Sequence, residues 1–233
     1  MSTGFGSPAT ADRRGPAAPA GRARGRHAGL TRDAVLAAAV TLVDEQGLAA
    51  LSMRRLGAEL GVEAMALYHH VGSKDALLDG LVEQLFLASL PEPTEGEPWR
   101  EVVRRHARGI LDTLLAHPNL VPVVLSRPAV TPSALSALER SVAVARTSGM
   151  PAHRALDLVY AVIGFVVGHV AMGGDAGEGS TARLRLLASL DLDEFPELAD
   201  AVRSAEGTGP RTSTFDATLD AILTGFDTGT DDI

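Results

Sequence analysis

The sequence predicts an all-α fold, and three observations carry that expectation. No stretch of the 233 residues alternates apolar and polar side chains over the length of a strand. Apolar residues recur instead at helical spacing, most cleanly in Phe215, Leu219, Ile222 and Phe226, which fall at i, i+4, i+7 and i+11. Each periodic stretch is bounded by residues that start or stop helices. The architecture expected is an N-terminal three-helix unit joined to a larger helical domain.

Residues 1 to 28 are rich in Gly, Pro, Ala and Arg without periodicity, the composition of a disordered basic arm. Thr31 is placed to cap a first helix, with Asp33 in its first turn, where negative charge is favoured. Leu36, Val40 and Val43 form its stripe and Gly47 stops it. Ser52 caps a second, short helix, and Gly61 ends it in a position where a left-handed residue is needed. Val62 and Leu67 bring apolar weight to a third. Ser73 caps a fourth, carrying Leu77, Leu78, Leu81, Val82, Leu85, Phe86 and Leu90, with Pro91 and Pro93 after it. Beyond an acidic connector, Trp99 opens a long helix through His117, stopped by Pro118. Leu120 to Leu125 is a shorter apolar stretch. Pro132 starts a helix through Ala145, ended by Gly149, and Pro151 opens the most apolar helix of the chain. Residues 173 to 179 read as an acidic loop, 183 to 190 as a short helix and 191 to 213 as irregular. The stripe from Phe215 forms the final helix.

The segment from Leu51 to Asp79 has the grammar of a helix-turn-helix: two short helices pinned around Gly61, then another at Ser73. Leu56 and Leu60 fall one turn apart on one face. Gly57 stands where the two helices must cross closely, and a side chain there would hold them apart. Ala64, Met65, Ala66, Tyr68 and His69 are left for the second helix to present outward. An ordinary helical hairpin meets the same pattern, so the spacing alone leaves both open.

Composition narrows the classes. The chain has no cysteine, so disulfides and thiolate metal sites are excluded, in keeping with a reducing cytoplasm. The N-terminus has no apolar signal-peptide core. The longest apolar run, Leu158 to Met172, has 15 residues, short of a membrane span. Gly164 and Gly168 within it are one turn apart and permit close approach of another helix. The net charge of −8 argues against a general polyanion binder, but residues 1 to 32 hold six arginines and one aspartate. A basic end on an acidic body is the asymmetry of a protein that faces nucleic acid at one end only, although a solvated tail has it too.

Longer motifs add a resemblance. AAAVTLVDEQGLAALSMRRLGAELGV, then ALYHHV, then KDALLD resemble the DNA-binding region of the tetracycline-repressor (TetR) family of bacterial transcriptional regulators, over about Leu30 to Phe86. EPWREVVRRHARGILDTLLAHPNL, the Arg127-Pro128 and Thr131-Pro132 pairs, FPELAD and FDATLDAILTGF resemble that family's effector domain of the tetracycline-repressor type. The resemblance implies a homodimer held by the helices near 152 to 172 and 214 to 226, presenting two recognition helices to a palindromic operator. It implies DNA contacts from Ser52, Arg54, Ala64, Met65, Ala66, Tyr68, His69 and Lys74, the last gripping phosphate with Tyr68. Arg54 would reach a base edge or a phosphate; pairing with Glu59 or Asp44 is the structural alternative. The antibiotic-binding members' metal-binding histidine aligns with Val123 and their metal-linked glutamate falls near Met172, so no magnesium and no other cofactor is expected. An effector cavity would be lined by His106, Ile110, Val123, Arg127 and Phe165 and hold an apolar or amphipathic small molecule. A solvent-facing His106 among Arg104, Arg105 and Arg108 is an equal alternative, and His169 is expected to be a packed interface residue.

The sequence therefore leads to a cytoplasmic, ligand-responsive dimeric regulator, most consistent with a repressor and not an enzyme. Its expected division is an arm at 1–28, a helix-turn-helix domain at 29–75 and a ligand-binding and dimerisation domain at 76–233. The competing classes are a helical small-molecule-binding protein or an enzyme without operator binding. Against the enzyme, no nucleophile triad, paired carboxylates or metal-spaced cluster stands out.

Overall fold

The computed structural model describes residues 30–89, 94–127, 130–173, 185–206 and 214–227; the expected basic arm lies outside them. Among the described residues every regular element is helical. The helices of the described residues are, in order, α1 (Arg32–Gln46), α2 (Met53–Leu60), α3 (Ala64–Val71), α4 (Lys74–Ala88), α5 (Trp99–Ala116), α6 (Val121–Ser126), α7 (Pro132–Arg146), α8 (Ala152–Ala171), α9 (Pro196–Glu206) and α10 (Thr214–Asp227). Short 3₁₀ turns join α1 to α2 and α5 to α6, and a helical turn stands at 185–188.

Local chemistry sets these boundaries. The Oγ1 of Thr31, the Oγ of Ser52 and the Oγ of Ser73 each accept from the backbone N–H three residues on, at 3.1, 3.2 and 2.9 Å. Each satisfies a donor that the helix start leaves unpaired. Gly61 closes α2 in the left-handed region, φ 67°, ψ 28°. Helices α1 to α3 enclose Leu36, Leu42, Leu51, Leu56 and Leu67, all at most 2% exposed. Burying each such side chain stabilises the unit by roughly 1.5–3 kcal/mol relative to exposure. The same core runs on without a break into α4, α5, α8 and α10.

Helix α8 packs against α5, α6, α7 and α10 through Ala155, Leu158, Val159, Val162, Val166 and Val167. Its 20 residues are apolar enough by length and composition to cross a membrane, and this packing accounts for part of that composition. The remainder is an outward stripe of Leu156, Tyr160 and Gly164. Helix α10 lies beside it, bound to α5 by a ladder of ion pairs: Arg100 with Asp227, Arg104 with Asp220 at 2.7 Å, and Arg108 with Asp216 at 2.6 Å.

One element differs from expectation. Residues 191 to 213 are not irregular throughout, because α9 occupies Pro196–Glu206. Pro196 at its start and Glu197 in its first turn suit a helix N-terminus. Leu198, Ala201, Val202 and Ala205 fall at i, i+3, i+4 and i+7, the helical spacing, although only Val202 of its described side chains is buried.

Three attachments tie the N-terminal helices to the larger domain. The buried Glu83 of α4 accepts from Arg32 Nη2 of α1 at 3.2 Å, and the hydroxyls of Ser133 and Thr131 at the start of α7 also favour its charged form. Burial alone would raise its pKa, but these donors outweigh burial and hold the carboxyl below its usual value. His117 Nδ1 lies 2.7 Å from Asp44 Oδ2, while Asn119 Nδ2 donates to the Val43 and Asp44 carbonyls at the end of α1. Arg127, between α6 and α7, reaches α4: its Nη1 donates to Asp79 Oδ1 at 2.7 Å and to the Asp75 carbonyl at 3.1 Å, and its Nη2 donates to Asp75 Oδ1 at 2.5 Å.

Candidate nucleic-acid interface and ligand cavity

Helices α2 and α3 meet at Gly57 and Ala64. A Cβ on Gly57 would lie 2.9 Å from the Val62 carbonyl oxygen and 3.2 Å from the Ala64 nitrogen, so only glycine lets the two backbones approach this closely. Leu67 and Val71 fix the inner face of α3 in the core. Met65, Tyr68 and His69 form its outer face, Met65 at 68% exposure and Tyr68 at 42%. Ala64 and Ala66 are half-buried, and Ala64 packs on the core, so it presents less outward surface than expected. Lys74 opens α4 directly after Ser73 and is exposed. Ser52 is exposed and spends its oxygen on the α2 cap.

Arg54 and Arg55 are both exposed on the first turn of α2. Neither makes an ion pair among the described residues, and Asp44 is turned to His117 instead. Arg55 was not among the residues expected from the sequence; its position beside Arg54 and one turn before Glu59 was the available signal. The exposed face of the α2–α3 pair thus carries two guanidiniums without an ion-pair partner among the described residues. An ammonium, a phenol and an apolar thioether stand alongside on α3 and α4. That set can bind phosphate and meet base edges or methyl groups.

The second feature is a cavity of about 350 Å³ between α5, α6, α7 and α8. Of the five side chains expected to line it, His106 and Arg127 do. Ile110 and Val123 are core residues, each 2% exposed, and do not reach its wall. Phe165 lies on another face of α8, stacked on Phe215 with centroids 5.1 Å apart and with His169 against both rings. Helix rotation decides this: Tyr160, Ile163, Gly164 and Val167 of α8 face the cavity, and Phe165, roughly 100° further round than Gly164, points away from it. Phe86, Val124, Leu138 and Ser141 complete much of the wall.

His106 is not a solvent-facing residue. Arg104 and Arg108 turn to Asp220 and Asp216, and Arg105 turns to Glu97 at 2.9 Å, while the imidazole turns inward. Its Nε2 is buried without a hydrogen-bond partner. Burial pushes its pKa down to about 4, so the ring is neutral at pH 7. Arg127 is held in its charged form above its ordinary value by Asp79 and Asp75. One guanidinium therefore faces the cavity and also holds the first two turns of α4, next to Lys74. No group of three or more metal-ligating side chains occurs among the described residues.

Comparison with known proteins bears on both features. Residues 35–81 match the family model for bacterial regulatory proteins of the tetR family, and residues 90–229 match the model for the tetracyclin repressor-like C-terminal domain. The HTH-type transcriptional repressor DrrR1 of Streptomyces coeruleorubidus is 36% identical over 146 residues, which is 62% of this chain and 54% of that protein. An HTH-type transcriptional regulator of Saccharopolyspora erythraea is 34% identical over 143 residues, 61% of this chain and 60% of that protein. The chain thus aligns with only part of the length of each of these relatives. The TetR family protein ActR of Streptomyces coelicolor, solved in complex with actinorhodin, is 30% identical with a TM-score of 0.68, over 88% of this chain and 100% of that one.

Proposed function

The chain belongs to the tetR family of bacterial regulatory proteins, and on that premise we propose that it is a homodimeric repressor released from a palindromic operator by a small molecule bound in the α5–α8 cavity. One observation carries the reading: Arg127 lines the cavity and clamps Asp75 and Asp79, beside Lys74. Ligand and DNA surfaces are then two sides of one attachment. An occupant that shifts Arg127 shifts the start of α4 and with it α3.

Binding to DNA rests on Ser52, Arg54, Ala64, Met65, Ala66, Tyr68, His69 and Lys74, with Arg55 added. Dimerisation uses the outward faces of α8 and α10. Methyl groups added at Gly164, Gly168 or Gly225 would meet nothing within 4 Å in the single chain, which leaves room for a second copy. A twofold pair spaces two copies of α3 for successive major grooves. Effector binding changes that spacing, and operator affinity falls by the difference in effector affinity between the two states. The DNA-reading unit spans residues 29–75 and the sensing unit residues 76–233, with the boundary just inside the start of α4. The protein works in the cytoplasm, where its DNA is, and catalyses no reaction.

The test is a mobility shift with DNA flanking the protein's own gene across a salt series. Tight, sequence-specific binding by a dimer, weakened in Tyr68→Ala and Lys74→Ala, supports the reading. A folded dimer that binds no segment of its genome in a pull-down sinks it and leaves a small-molecule-binding role.

A further inference from the structure

The cavity's wall also says what it holds. We propose that the ligand is an uncharged, largely apolar molecule of drug size that presents one hydroxyl or carbonyl to Nε2 of His106. This rests on taking the cavity as the effector site and deepens that assignment.

Size and wall chemistry come first. About 350 Å³ falls within the range of small-molecule sites, and Phe86, Val124, Leu138, Val159, Ile163 and Val167 give the wall its apolar area. A cation is disfavoured. The described wall residues include no carboxylate, and the one charged group among them is the guanidinium of Arg127. A buried cation would find no carboxylate in the wall to pair with. An anion gains little. Arg127 already holds Asp75 and Asp79, so the three groups together carry a net negative charge. A ligand carboxylate would have to displace one of them or be repelled by both.

The remaining polar groups single out His106. Ser141 Oγ donates to the Ala137 carbonyl at 3.0 Å, so its proton is used within α7. Tyr160 is 59% exposed in the single chain, on the outward stripe of α8, so its hydroxyl is not a buried unpaired group of the wall. His106 Nε2 is different: it is buried, without a partner, and belongs to the wall. A buried polar atom left unpaired costs free energy that a ligand recovers by bonding to it. Because burial keeps the ring neutral, Nε2 is either a donor or an acceptor according to tautomer. A carbonyl answers the first and a hydroxyl the second; neither needs a charge.

The test is direct binding to the full-length protein by calorimetry at pH 7, without DNA. Four probes of one shape are compared: naphthalene, 2-naphthol, 2-naphthoate and 2-naphthylmethylammonium. Expected is tightest binding of 2-naphthol, with both ions weaker by roughly tenfold or more. His106→Leu should bring 2-naphthol to the affinity of naphthalene and leave naphthalene unchanged. His106→Gln, which keeps a hydrogen-bonding edge, should restore much of the preference and guards against misfolding of the leucine variant. A charged probe binding as well as 2-naphthol overturns the proposal. So does an unchanged preference in His106→Leu, or the absence of binding by every probe. Binding of 2-naphthol without any effect on operator affinity would leave this inference standing and sink the effector role instead.

Discussion

Acidification should destabilise this protein through His106, and the structure sets the size of the effect. Burial lowers the imidazole's pKa from 6.5 to about 4. The unfolded chain therefore binds a proton in a pH range where the folded chain does not. The stability tied to the neutral ring is fully present above pH 6.5 and is lost as the pH falls from there towards 4. A shift of that size is worth about 3 kcal/mol in all, and roughly 2–3 kcal/mol of it is spent by pH 4.5. His106→Leu removes the proton-binding group and keeps an apolar side chain in the wall. The other six histidines remain in both proteins and cancel in the difference. Urea unfolding of both at fixed protomer concentration, from about pH 7 down to about pH 4.5, measures it. The wild-type curve should fall away from the variant's by about 2–3 kcal/mol over that range. Parallel profiles would mean that His106 is not held neutral, and the account of its burial would be wrong. Stopping near pH 4.5 keeps Glu83 out of the measurement, because its depressed pKa places its loss of stabilisation lower still.

Other outcomes follow from named contacts. Arg127→Gln should weaken operator binding about threefold to thirtyfold without touching DNA, on the usual scale of coupling energies; an unchanged mobility shift would mean that α4 needs no clamp. Gly57→Ala should lower stability by about 1–3 kcal/mol in a thermal melt, since backbone at 2.9 Å must give way; an unshifted melting point would show the α2–α3 crossing to be loose. Lys74→Ala should weaken operator binding and make its slope against log salt shallower by about one for each phosphate left without its cation; an equal slope would remove Lys74 from the phosphate-binding set.

What the sequence made legible was local. Thr31, Ser52 and Ser73 announced three helix starts because a cap acts on a donor three residues away. Gly57 and Gly61 announced a tight crossing and a left-handed stop for equally local reasons. Helix α9 was legible too, in Pro196, Glu197 and the spacing of Leu198, Ala201, Val202 and Ala205, but its short, alanine-rich stripe sits in an acidic stretch that reads as irregular. The cavity wall was only half legible. Phe165 was expected in the cavity wall, yet the rotation of α8 brings Tyr160 to the cavity and Phe165 to Phe215. That rotation depends on how three helices pack together, which no short window contains. The Arg127 clamp spans 48 and 52 residues, beyond any spacing rule.

The buried anchor at Glu83 gives α4 the mechanics of a lever. Arg32 grips the Glu83 carboxylate from α1 with Thr131 and Ser133 beside it at the start of α7, so the helix is anchored there, while Arg127 alone takes hold nearer its start. Asp79, where Arg127 pulls, is four residues from that fulcrum, roughly 6 Å along the axis, and Lys74 is nine residues away, roughly 13.5 Å. A rigid α4 turning about Glu83 therefore doubles the stroke: 1 Å at Asp79 becomes roughly 2 Å at Lys74. In the proposed twofold pair both arms would swing, and the gap between the two DNA-facing tips would change by up to twice that distance, gearing a small adjustment beside the cavity into a large misfit on the duplex.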